Sequence, residues 1–135
     1  MPQLLACSTS AVVLCYESAA AGDDGVIEVR FDGYASVRMG HPNDEVLQGH
    51  PLYQRGLKFY AAHIVHGSPW LEEHRRINSV HPSHSNEKWA GLSHYLLAFH
   101  DEVIEVLARH VVARRVTGDL PSELLRVASE MGTGI

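Results

Sequence analysis

Residues 26–39 alternate between apolar and polar side chains with a period of two. Ile27, Val29, Phe31, Ala35, Val37 and Met39 fall on one face, and Glu28, Arg30, Asp32, Ser36 and Arg38 on the other. That pattern fits a half-buried β-strand and not a helix, so the chain is committed to sheet structure with one face on a core. Asp32-Gly33 interrupts the run and predicts a turn or bulge, compatible with one bent strand or with two.

The remaining segments fill in an α+β pattern. Residues 11–18, AVVLCYES, read as a strand buried on both faces, followed by Asp24-Gly25 as a hairpin-type turn signal. Residues 40–56 carry two Gly-His-Pro tripeptides and predict a long ordered loop with one helical turn at Glu45–Gln48. Residues 57–66 match both a strand and a helical stripe; the strand is favoured because Gly67-Ser68-Pro69 opens a new element directly afterwards. Ser68 as N-cap and Pro69 at the first helical position start a helix over 69–80, with Trp70, His74 and Ile77 on one stripe. A loop over 81–86 and a short helix over 87–92 follow. Residues 93–99 and 103–116 read as strands joined by His100-Asp101-Glu102, although a helix over 94–116 also fits the composition. Asp119 caps a last helix, to Met131, with Leu124, Ala128 and Met131 on its apolar stripe. The expected architecture is a mainly antiparallel β-sheet with two to three helices packed on one face, in a single domain over 1–135.

Composition narrows the partners. A chain of 135 residues that is 45% hydrophobic and 20% charged has the make-up of an ordinary globular domain. Its net charge of -5 disfavours nucleic acid, which needs a basic field, and equally a polybasic membrane anchor. The opening segment lacks a basic n-region, and Cys7-Ser8-Thr9-Ser10 breaks its apolar stretch, so it does not read as a signal peptide. With Cys7 and Cys15 the only thiols, the expectation is a cytoplasmic protein with reduced cysteines. A small-molecule substrate is the expected partner, and a homodimer through the long alternating strand is compatible with a domain this small.

Ten histidines set the chemical expectation, since imidazole titrates near neutrality. Glu105 stands among Val103, Ile104, Val106 and Leu107. A carboxylate in so apolar a strand needs a partner or a raised pKa, and either a general acid–base role or a structural pair with a His or with Arg109 or Arg30 follows. His100 and Asp101 sit at the adjoining turn, where Asp101 also reads as a turn former. His81 and His84 have metal-ligand spacing, but a site needs a third or fourth ligand, so without one they serve as acid–base groups, substrate contacts or loop caps. Asn43, Asp44, Glu45 and His50 offer polar groups on the 40–56 loop, where turn chemistry is the simpler explanation. Asn78, His94, Tyr95 and Trp70 are candidate substrate contacts, with Trp70 a core residue by default. No phosphate loop, nucleophile elbow, CxxC or HExxH motif occurs.

Pro42-Asn43-Asp44-Glu45, Gly49-His50-Pro51-Leu52, Ser68 with Trp70, Asn78 with His81-Pro82, His94-Tyr95, and Phe99-His100-Asp101 with Glu105 resemble motifs of a group of short bacterial proteins of unassigned function. The resemblance spans roughly residues 31–109; it departs after Asp101, where Glu102-Val103 replaces a small hydroxylated pair. It implies that these polar positions belong to one site and supplies no reaction. Taken together, the residues predict an enzyme without organic cofactor, using general acid–base catalysis on a small organic molecule by proton transfer, dehydration or imine-forming cyclisation. Glu105, His100 and Asp101 would carry it with His81 or His84 assisting, plausibly in bacterial specialised metabolism. A metal-dependent enzyme using His81 and His84, and a non-catalytic binding module, are the alternatives.

Overall fold

The computed structural model describes residues 3–18 and 25–133. The fold is α+β, with two antiparallel four-stranded sheets and their helices in two compact units. Asp24 of the expected hairpin turn lies outside the described residues, while Gly25 opens a strand.

The first unit comprises Met1–Tyr34 and His110–Ile135. Its strands are β1 (Gln3–Cys7), β2 (Ala11–Glu17), β3 (Gly25–Asp32) and β8 (His110–Thr117), in the order β1-β2-β3-β8. Ala11 to Cys15 of β2 are fully buried, as an apolar run without alternation requires. Helix α3 (Leu120–Thr133) packs on β1 and β2, burying Leu120 and Val127 with Val13, Cys15 and Val26. Asp119 starts it as expected, its carboxylate accepting the Ser122 N–H at 2.9 Å. The buried stripe runs through Leu120, Val127 and Met131, whereas Ala128 is exposed. Glu28, on the face read as polar, is buried beneath this helix and accepts from Arg114 at 2.8 Å and Arg126 at 3.0 Å.

The second unit, Ala35–Arg109, holds β4 (Ser36–Gly40), β5 (Ala62–Val65), β6 (Ser93–Ala98) and β7 (Val103–Ala108), in the order β4-β7-β6-β5. Helices α1 (Pro69–Asn78) and α2 (Asn86–Ala90) and 3-10 turns at Asp44–Gly49 and Tyr53–Arg55 fill the connections. Leu47 and Leu57, on the long loop, are buried with Leu96, Ala98 and Val103, so the loop is anchored by side chains and not merely by its prolines.

Both long strands read from the sequence are divided. The run over 26–39 breaks at Gly33–Ala35 into β3 and β4, and the run over 103–116 breaks at Arg109 into β7 and β8. β3 pairs with β8 in one sheet, and β4 with β7 in the other. Gly33, at φ 61, takes a left-handed turn that a side-chain-bearing residue rarely adopts. The strand expected at 57–66 shrinks to Ala62–Val65, because Tyr60 at φ 53 takes residues before it out of extended geometry. β3 is paired on both sides, so of the 26–39 run only β4 offers a free edge.

Candidate active site

Register places the site. Direct partners in an antiparallel sheet share a face, so Arg38 of β4, Glu105 of β7, Leu96 of β6 and His63 of β5 stand in one row across the second sheet. His94, two residues before Leu96, joins that face. β7 is buried along its whole length, so Glu105 lies at 5% exposure and its charge is largely withdrawn from solvent. It has partners instead. Arg38 donates from Nε to Oε2 at 2.7 Å and from Nη2 to Oε1 at 3.1 Å, and His94 Nε2 lies 2.8 Å from Oε1. Burial alone would raise the Glu105 carboxyl; the hydrogen bonds from His94 and Arg38, with the Arg38 charge, outweigh it and hold the pKa at about 2. Glu105 is therefore a fixed anion near neutrality, a poor proton acceptor and a strong hydrogen-bond acceptor.

The other face of the imidazole problem is Ser68. His94 Nδ1 lies 2.7 Å from Ser68 Oγ, and both residues are buried. Ser68 reaches this position because Gly67, at φ 64, turns the chain out of β5 and Ser68 then caps α1, accepting the Leu71 N–H at 3.0 Å. The ionised Glu105 can only accept, so His94 donates to it from Nε2; Nδ1 of the neutral ring is then the acceptor for the Ser68 hydroxyl. Trp70 closes over the assembly. Its ring stands edge-on to the His94 ring at 5.1 Å, and the Arg38 guanidinium lies 4.1 Å from its centroid.

Openings flank this chain of groups. Ser68 and His94 border a cleft of about 580 Å³ walled by Ile64, Pro69, Leu71 and Leu92 and by the polar His66 and Glu72. Glu105 and Arg38 border a second, of about 380 Å³, with His41 and His50. Burial pushes the His50 imidazole below its ordinary value, opposed by Glu105 and assisted by Arg38 and His94. Its Nδ1 accepts the Leu52 N–H at 3.0 Å, which turns Nε2 into the donor of the neutral ring.

Of the residues expected to act together, the structure joins Glu105, His94 and Trp70, with His50 beside the cleft. The others are placed elsewhere. His100 binds Asp44, Nδ1 to Oδ2 at 2.6 Å, and the Tyr60 hydroxyl donates to the same oxygen. Asp101 stands 3.9 Å from His100 in an exposed turn. Tyr95 points to the opposite face of the sheet from His94, because neighbours in a strand alternate. Asn78 donates to His84 Nδ1 at 2.8 Å, while His84 Nε2 donates to Asn86 at 2.6 Å, and His81 Nδ1 accepts the Ser83 N–H at 3.0 Å. These are loop bonds. Among the described residues no group of three or more His, Cys, Asp or Glu side chains is arranged to hold a metal, so His81 and His84 lack a further ligand. Glu45 is exposed on its 3-10 turn, and Asn43 Oδ1 is buried without a hydrogen-bond partner.

Sequence reasoning misses Arg38, which reads as part of a polar strand face, and gives Ser68 no chemical role beyond the helix cap and its place among the positions the resemblance joins in one site. The available signal was Glu105 itself, since a lone acid in an apolar strand demands a cation at its register position on a neighbouring strand. No helix among the described residues is long and apolar enough to cross a membrane. No protein-family model matches the chain, and no curated protein or solved structure is detectably similar to it.

Proposed function

We propose that the protein is an enzyme without organic cofactor that moves a proton on a small organic molecule, with His94 as the acid–base group. The observation that carries this reading is the unbroken chain Ser68–His94–Glu105–Arg38, bonded at 2.7, 2.8 and 2.7 Å and bordered by clefts at both ends. Glu105 orients the ring and stabilises the imidazolium that forms when Nδ1 takes a proton; Arg38 keeps Glu105 ionised; Ser68 passes the proton between ring and cleft. This shifts the central role from Glu105, whose pKa is too low for a general base, to His94. Proton transfer next to a carbonyl, dehydration and imine-forming cyclisation all remain within the reach of such a relay. A cytoplasmic place, a homodimeric state and a role in bacterial specialised metabolism belong to the same reading.

The test is solvent deuterium incorporation across a panel of small ketones, aldehydes and 2-oxo acids, for the wild type and His94→Gln. Exchange into one class of compound, reduced about 10²–10⁴-fold in the variant, supports the assignment. Equal exchange in both proteins would overturn it. Binding without exchange would favour a ligand-binding module, a reading supported by the half-exposed Arg38 guanidinium over the smaller cleft.

A further inference from the structure

We infer that Ser68 is a nucleophile, and that the cleft beside it takes a small uncharged ester or thioester. This rests on His94 being the proton-handling group and adds a covalent step to it. The same three side-chain types that activate a hydroxyl in acyl transfer, a serine, an imidazole and a carboxylate, are lined up here in bonding order. The hydroxyl hydrogen is directed at His94 Nδ1, because Nε2 is committed to Glu105 and the Ser68 oxygen already accepts from Leu71 N–H.

Position on the helix adds to this. Ser68 Oγ lies at the N-terminal end of α1, where the helix dipole favours negative charge on the oxygen. Pro69 has no N–H to offer, so the next first-turn amide is that of Trp70, which makes no hydrogen bond to the described residues. Amides of the first helical turn point out of the N-terminus, toward where an oxyanion would form. The adjoining cleft sets Ile64, Leu71 and Leu92 beside His66, Glu72 and Ser93, and the ionised Glu72 disfavours an anionic acyl group there.

The step balances with water alone. The Ser68 proton passes to His94 Nδ1 as Oγ bonds to the carbonyl carbon. The bond to the leaving oxygen or sulfur then breaks, and that atom takes the proton from His94, leaving an acyl ester on Ser68. Water attacks this ester, gives its proton to His94, and the carboxylic acid departs as Ser68 Oγ recovers the proton. Ester and water become acid and alcohol, or acid and thiol.

The test is reaction with diisopropyl fluorophosphate, in which Oγ bonds to phosphorus and fluoride leaves. Intact mass and peptide mapping should show one adduct per chain, on Ser68, formed at least about 10²-fold more slowly in His94→Gln. 4-Nitrophenyl acetate should give a burst of one equivalent of nitrophenol. Ser68→Asn retains a capping side chain, and its circular dichroism should match the wild type while adduct and burst disappear. Absence of the adduct from the folded wild type would overturn the nucleophile. So would Ser68→Asn retaining the burst. Deuterium exchange that is lost in His94→Gln, with neither adduct nor burst in the wild type, would remove the nucleophile and leave the proton-transfer reading intact; loss of His94 dependence in both assays would remove both.

Discussion

His94 Nε2 and Glu105 Oε1 stand 2.8 Å apart inside the second sheet, and this bond decides which ring nitrogen faces Ser68. A carboxylate held ionised makes Nε2 the proton-bearing atom, and the remaining nitrogen becomes the base. The dyad is costly to bury, and Arg38 makes it tolerable by supplying two further hydrogen bonds to the carboxylate.

Acid should expose that dependence. The folded pKa of Glu105 is depressed from 4.5 to about 2, so its contribution to stability is full above the unfolded value and is lost as pH falls through the folded one. The stability difference between wild type and Glu105→Gln, from urea titrations, should be constant above about pH 5 and shrink from there to about pH 2. A difference independent of pH would mean that the charge of Glu105 contributes nothing to folding.

Arg38 should matter for stability and for activity together. Removing its guanidinium leaves a buried carboxylate with the His94 ring N–H as its remaining side-chain partner. The side chain is 51% exposed, so water replaces part of what is lost. Arg38→Ala should cost about 1–3 kcal/mol in urea unfolding. It should also slow turnover, since the Glu105 charge that orients His94 would no longer be held.

His100 should titrate apart from the active site. Its pKa is raised by the hydrogen bond to Asp44, then by the charges of Asp44 and Asp101. The stabilisation it gives is therefore present below the unfolded pKa and lost as pH rises through the folded one. In NMR titrations Asp44→Asn should move the His100 midpoint down and leave deuterium exchange unchanged.

The alternation over 26–39 marked strand structure but not which side is covered: Glu28 on the polar side is buried, and Ala35 and Met39 on the apolar side are exposed. The uniform apolar character of 103–108 marked a strand covered on both sides, with Glu105 trapped in it. What the pattern could not give was the break at Arg109. β-branched and apolar residues continue past it, and only pairing shows that β7 and β8 belong to different sheets. The same gap hid Arg38. Its polar neighbours made a solvent face, but register set it opposite Glu105. His94 was legible as a strand residue on the face of Leu96, yet its partner could not be named because the β6–β7 register depends on the turn at Phe99–Glu102. At the end of α1 and the loop after it, Asn78 and His84 bond each other, His84 also bonds Asn86, and the His81 ring accepts from the local backbone, patterns that turn chemistry also produces.

The proton positions on His94 test the relay most directly. In protein labelled with ¹⁵N-histidine, a long-range ¹H–¹⁵N correlation at neutral pH should show His94 protonated at Nε2 and bare at Nδ1, with the Nδ1 signal shifted by the Ser68 hydroxyl and changed in Ser68→Asn. A neutral ring with its proton on Nδ1 would contradict it, because the ring would then donate to Ser68 and present no lone pair to that hydroxyl.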